Sequence, residues 1–274
     1  MNGSVSVLQG YKVCFDCTAD DPKKVRQPIT LVAGFIATVE HWERWESDWK
    51  LILTDFNAPY FHMKEFFDRK KGAFAAKKWR SESYRNHFIK LLSDVTCTWT
   101  SATVGGCMTQ SLFDEASRLR QVESFFNPFA ACARDCAVRT RDLIRGKYKS
   151  CLPIEYVFER GDVGGDVGNS ATKGLLDTLM LDSQLPSPIY RRSRPGNASI
   201  EKDDPCLIQL QASDLLAWHL RRATQGLLHR TSFEVSIKSF SQANDVSWKQ
   251  CTDADMATLV HSLRIPKRVN GRGN

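Results

Sequence analysis

The sequence predicts an α/β domain built around one mixed sheet, and three features predict it. Runs of β-branched and aromatic residues alternate along the chain with longer segments whose apolar residues recur at helical steps. Strands interleaved with helices in this way form layered α/β structures, and the first two strand-like runs, separated only by a polar turn, supply an antiparallel part. No internal repeat or low-complexity linker interrupts the 274 residues. A single domain is therefore expected over residues 1–274, with a weakly specified C-terminal extension from about residue 225.

The elements follow in order. "YKVCFDC", residues 11–17, is rich in strand formers and alternates weakly. After a polar turn, "ITLVAGFIATV", residues 29–39, is a near-continuous apolar run of the kind covered on both faces, and with the first strand it makes a hairpin. Trp42, Trp45, Trp49, Ile52 and Phe56 then recur at three- and four-residue steps, with Glu43, Arg44, Asp48 and Lys50 facing water. That stripe predicts a helix whose aromatic side faces the core; base stacking is the less favoured use. "SESYRNHFIKLLSDV" predicts a second helix with Ser81 as N-cap. "VTCTWTSATV", residues 95–104, alternates residue by residue and predicts a third strand. Residues 119–147 read as helical, restarting at Asn127-Pro128. "PIEYVFERGD", residues 153–162, is a fourth strand, followed by a Gly-rich loop and a helix near residues 171–181. "SPIYRRS" is a short fifth strand. "DDPCLIQLQASDLLAWHLRRAT" is the last strong helix, with Asp204 as cap and Pro205 in the first position. "DADMATLVHSLR" reads as a small closing helix.

The totals bound the function classes. No apolar run approaches ~18 residues, so no membrane span is expected, and the N-terminus shows no export signal. Nine scattered cysteines then read as reduced thiols, which implies a cytoplasmic location. The net charge of +7 fits a polyanionic partner, with basic side chains gathered in "DRKKGAFAAKKWR", "IRGKYK", "YRRSR" and "PKRVNGR". Taken singly, each cluster is a solvated face.

Three acids stand in apolar surroundings. Asp16 lies in the first strand, Glu159 ends the fourth after "IEYVF", and Asp214 interrupts a helix that is apolar nearly all the way round. A buried carboxylate costs roughly several kcal/mol unless it is paired, protonated or bound to a cation. Brought together on one edge of a sheet, the three would suit Mg²⁺ or Mn²⁺, and such ions hydrolyse phosphodiesters by activating water. Taken one at a time, each acid is better explained by a nearby Arg, Lys or His or by a helix cap; the three together favour a shared cation.

The succession "FDCTADD…ITLVAGFIATVEHWERWESDW…FHMKEF…YVFERGD…QLQASDLLAWHLRR" resembles domain-of-unknown-function family 3800, from about Lys12 to Arg222. The best single piece is "LIQLQASDLLAWHLRR", similar to the family's Leu-Gln-x-Ala-Asp-Leu-Leu helix. The resemblance implies a ribonuclease-H-like fold, a five-stranded mixed sheet flanked by helices, with acids on the first strand, the fourth strand and a late helix. Asp16 matches the first-strand aspartate and Asp214 the helix aspartate. Glu159, or in second place Asp162, matches the fourth-strand acid, and His62 matches the Phe-His position. One departure is "DCTA" where the family has Asp-Glu-Ser-Gly: Cys17 replaces a second acid, and Asp20 and Asp21 fall in what reads as a solvated turn.

Other motifs carry less. Cys14 and Cys17, three apart on a strand, point to opposite faces and make a poor metal pair, and Cys132 and Cys136 share a helical face as small core residues. "GDVGGDVGNSATK" lacks the Gly-Lys-Ser/Thr of a phosphate loop, though Asp162 or Asp166 could touch a metal. His62 is a candidate proton carrier, and Lys173, Arg191 and Arg192 are candidate phosphate contacts. His219 lies too far round the helix from Asp214 to share its face.

Two readings follow. The first is a metal-dependent nuclease in which Asp16, Glu159 and Asp214, with Asp162 near them, hold Mg²⁺ or Mn²⁺ while basic clusters hold DNA or RNA. The second is a catalytically inactive ribonuclease-H-like module that binds nucleic acid or a protein partner; a homo-oligomer stays open under either.

Overall fold

The computed structural model describes residues 10–20, 23–24, 28–68, 72–112, 114–115, 128–159, 176–177, 180–181, 183–191, 207–224 and the backbone of 245–250. Strands β1 (Tyr11–Ala19) and β2 (Ile29–Thr38) form the expected antiparallel hairpin. Strand β3 (Ala102–Thr109) pairs antiparallel with β2, β4 (Ile154–Glu159) lies parallel to β1, and β5 (Ile189–Arg191) lies parallel to β4. The five strands that the sequence predicts thus join one mixed sheet. The region after residue 225 adds a sixth, β6 (Asp245–Gln250), which runs parallel to β3, and the order is β5-β4-β1-β2-β3-β6.

Helices cover both faces. α1 (Val39–Asp55), α2 (Met63–Asp68), α3 (Glu82–Trp99) and α5 (Leu210–Thr224) pack on one side, and α4 (Pro128–Gly146) packs on the other. Strand alternation divides the sheet residues between two cores. Cys14, Leu31, Ala33 and Phe35 face the four-helix side, while Val13, Phe15, Cys17, Val32 and Ile36 face α4. Every inward position of β2 is apolar on both faces, which is why that segment reads as an unbroken apolar run. Gly34 permits close strand approach: a Cβ there would fall 2.2 Å from the Cys14 carbonyl oxygen.

The tryptophan stripe is core. Trp42, Trp45 and Trp49 are buried, and each indole N–H finds a partner, respectively the Lys12 carbonyl at 2.9 Å, Thr96 Oγ1 at 3.1 Å and Gln211 Oε1 at 3.1 Å. Buried indoles need such acceptors, and Gln211 ties α1 to α5 by supplying one. Ser81 caps α3 as expected, accepting from the Tyr84 amide at 3.3 Å.

Two expectations are corrected. Residues 95–99 are the last turns of α3, not the start of a strand, and β3 begins only at Ala102. The threonines that give this stretch its strand-like alternation bond back onto the helix: Thr96 Oγ1 donates to Leu92, Thr98 to Asp94 and Thr100 to Thr96, at 2.7 to 2.8 Å. The last strong helix begins at Leu210 rather than at Pro205, because residues 207–209 form a tight turn with Leu210 N–H bonded to Leu207 O at 3.1 Å. Asp204, Pro205, the Gly-rich loop and the closing helix lie outside the described residues, while residues 176–177 and 180–181 of the helix predicted near 171–181 are helical. No helix among the described residues is long and apolar enough to cross a membrane.

Candidate functional site

Register and strand alternation fix where the acids stand. Asp16 follows Cys14 by two residues on β1, so its side chain points to the same side of the sheet, the side that α5 covers. Two anchors from α5 bracket it. Ser213 Oγ donates to the Cys14 carbonyl at 2.6 Å, and the Arg221 guanidinium donates to Thr18 Oγ1 at 3.0 Å and meets the Asp20 carboxylate at 2.7 Å. Ser213, Ala217 and Arg221 recur at four-residue steps, so one face of α5 runs along β1. Asp16 sits between the anchors and is only 3% exposed.

Glu159 stands beside it. Phe15 pairs with Phe158 in the parallel ladder of β1 and β4, and Asp16 and Glu159 are the next residue on each strand. Their Cα atoms are therefore about 5 Å apart, with both side chains on the α5 side. Glu159 pairs in turn with Arg191 on β5. One row across three neighbouring strands thus carries a carboxylate, a second carboxylate and a guanidinium. Arg191 Nη1 also donates to the Tyr190 carbonyl at 3.2 Å.

Asp214 lies next to Ser213 in the chain, and so close to the same strand. Its carboxylate is engaged on the other flank of α5: Oδ2 accepts the Met63 amide at 2.6 Å. Met63 opens α2, and an anion at a helix N-terminus is favourable because the first amides have no partner within the helix. His62 immediately precedes this contact; it is buried, with Nδ1 3.7 Å from the Glu65 carboxylate. Glu65 also accepts from the Tyr60 hydroxyl at 2.8 Å. The structure therefore brings Asp16 and Glu159 together and joins Asp214 to the His62 segment. Among the described residues no three His, Cys, Asp or Glu side chains lie close enough together to hold a metal ion. Asp162, Lys173 and Arg192 lie outside the described residues.

Two positions differ from the expectation. Asp20 is not in a solvated turn: its carboxylate accepts the Ile29 amide at 3.1 Å, closes the hairpin, and is buried against Arg221. Cys17 does not stand where it could add to or subtract from an acid site, because its side chain packs in the core under α4, on the face opposite Asp16. Cys14 and Cys17 diverge as strand geometry requires, and burial pushes the Cys14 thiol far above its ordinary pKa.

His219 is a packed core residue. Burial, helped by the nearby Arg222 charge, lowers its pKa to about 3, so it is a neutral imidazole across the physiological range. Its neighbours on α5 were the harder ones to find from sequence. Ser213 and Arg221 look ordinary in the string, and only their separation by two four-residue steps, with Ala217 between, signals a shared face.

No protein-family model matches the chain, no curated protein matches it, and no solved structure matches it. The likeness to a ribonuclease-H-like family stands on the quoted motifs alone.

Proposed function

We propose that the chain is a ribonuclease-H-like, metal-dependent nuclease that hydrolyses phosphodiester bonds in nucleic acid. The observation that carries this reading is the buried Asp16, within β1, beside Glu159 at the end of the parallel strand β4, both on the α5 side of the sheet. Two like charges at that spacing, one of them withdrawn from water, oppose each other unless a cation or proton joins them. Their oxygens are hard donors, so the chemistry fits Mg²⁺ or Mn²⁺, which Asp16 and Glu159 would hold, with Asp214 on the helix above as a further carboxylate. Such an ion, when bound, supplies positive charge at a phosphate and makes water more acidic.

The chain's own residues supply the rest. The packing of α5 on β1 keeps water from one side of Asp16. Arg191, in the same row, presents a guanidinium to phosphate oxygens next to the acids. His62, fixed by Glu65 and adjacent to the residue that Asp214 binds, is placed to carry a proton. The mixed strand order, with acids on the first strand, the fourth strand and a late helix, supports the ribonuclease-H-like reading.

A second reading has its own observation. Asp214 already serves the N-terminus of α2, which leaves two carboxylates rather than three facing each other, and a catalytically inactive module that binds nucleic acid or a protein partner needs no more. Labelled single- and double-stranded DNA and RNA, incubated with Mg²⁺, Mn²⁺ or chelator, separate the two. Under the nuclease reading cleavage requires metal and falls at least about a hundredfold in Asp16→Asn and in Glu159→Gln, as loss of a metal ligand demands. Binding without cleavage in every metal condition selects the inactive module.

A further inference from the structure

Helix α5 is buried on nearly every side. Its partly exposed positions before the last two residues are Asp214, Trp218, Leu220, Arg221 and Arg222. Asp214, Trp218 and Arg222 recur at four-residue steps and so stack along one helix face. The stripe carries a carboxylate, an indole and a guanidinium along about 12 Å of axis.

Helix α2 borders this stripe, anchored by the Met63 bond to Asp214. It contributes Phe67, which is 44% exposed and whose ring lies 5.2 Å from that of Trp218. The guanidinium of Arg222 sits 4.7 Å from the Trp218 centroid and 5.1 Å from that of Phe67. Two rings thus lie against the one cation. Among the described residues no carboxylate lies within ion-pair distance of Arg222, whereas its neighbour Arg221 is taken by Asp20. Partial burial, and after it the nearby Arg221 charge, pull the Arg222 pKa down.

We infer that Phe67, Trp218 and Arg222 form a landing site for an unpaired nucleotide of a single-stranded nucleic acid. The base stacks against the exposed part of the Phe67–Trp218 pair and a phosphate takes the N–H edge of Arg222. An exposed aromatic beside a guanidinium is what strand-tracking surfaces use, because every base has a flat apolar face and every link a negative charge. A base inside a duplex is already stacked on both sides and cannot offer that face. The inference deepens the nuclease reading and rests on it, since the stripe ends at Asp214, the helix carboxylate of that reading.

The test is fluorescence anisotropy of end-labelled oligothymidylate, oligouridylate and a duplex of the same length, in chelator so that nothing is cut. The variants are Phe67→Ser and Arg222→Gln, both at positions open to solvent, with folding checked by circular dichroism. Single-strand binding is expected to weaken about tenfold in each, the loss of one stacked base or one phosphate contact. Arg222→Gln should also reduce the salt slope by about one, and wild-type protein should prefer the single strand to the duplex. Unchanged single-strand binding in both folded variants, equal losses on duplex, or binding of a labelled acidic peptide by a protein that shows no affinity for any of the three nucleic acids would each overturn the inference. Failure of the nuclease reading has a different signature, namely no cleavage in Mn²⁺ while this binding and its loss in the variants persist.

Discussion

Replacing Arg221 with leucine isolates what holds α5 along β1. The wild-type Asp20 carboxylate is wholly buried and has Arg221 at 2.7 Å and the Ile29 amide at 3.1 Å, while Arg221 also donates to Thr18 at 3.0 Å. Leucine keeps the bulk and removes the cation 2.7 Å from a buried carboxylate. Breaking a fully buried pair costs about 3–5 kcal/mol. Here the Arg221 side chain is 31% exposed, and water screens part of the pair. A loss of about 2–3 kcal/mol is the resulting expectation, including about 1 kcal/mol for the Thr18 bond. Urea unfolding followed by circular dichroism reads this as a midpoint lowered by about 1 M or more at unchanged slope. The double variant Asp20→Asn/Arg221→Leu has no charge left to strand, and the asparagine carbonyl still accepts from Ile29, so it should recover most of the loss. An Arg221→Leu protein as stable as wild type, or a double variant no better than Arg221→Leu, would refute the account of how the helix is seated.

Three further outcomes are expected. His219 has its pKa lowered to about 3 in the fold, so the unfolded chain binds the extra proton between pH 6.5 and about 3. Stability is then fully present above pH 6.5 and falls on acidification by up to about 1.4 kcal/mol per pH unit; His219→Phe should flatten that slope in melts run across the same range, and an identical slope would count against it. Gln211 accepts from both the Trp49 indole and the Phe61 amide, so Gln211→Leu strands two buried donors and should cost about 2–5 kcal/mol in the same urea assay. Asp214→Asn keeps an acceptor for Met63 and should cost less than about 1 kcal/mol, whereas Asp214→Ala should cost about 1–2 kcal/mol by uncapping α2. If the two variants melt alike, the helix-capping role of Asp214 is wrong.

The parts of the fold that sequence made legible are those with a strong local period. The tryptophan helix, the two-faced apolar strand and the Ser81 cap all declare themselves within one segment. The end of α3 misled because threonine is ambiguous: its β-branch favours strands, but its hydroxyl can close onto the preceding turn, and here three of them do. β6 was missed because the alternation in "DVSWKQ" is short, with only Val246 and Trp248 apolar, and the strand gains its structure by pairing with β3, a contact from far away in the chain. At the site, buried acids were identifiable from their apolar neighbours, since charge among core residues needs a reason. Which acids face each other was not, because that depends on ladder register between β1 and β4. The partnership of Asp214 with Met63 spans 151 residues and leaves no pattern in the string.

The pairing of β6 with β3 has a consequence for handling the protein. Strand β3, "ATVGGCMT", has no lysine, glutamate or proline to discourage another chain from docking along it. With β6 in place its free flank is already occupied by the same molecule. A version trimmed to end near Thr224 would keep every acid discussed above yet bare a smooth, sticky border, and molecules of it should zip together edge to edge. The tail is in that sense the protein's own guard against self-association.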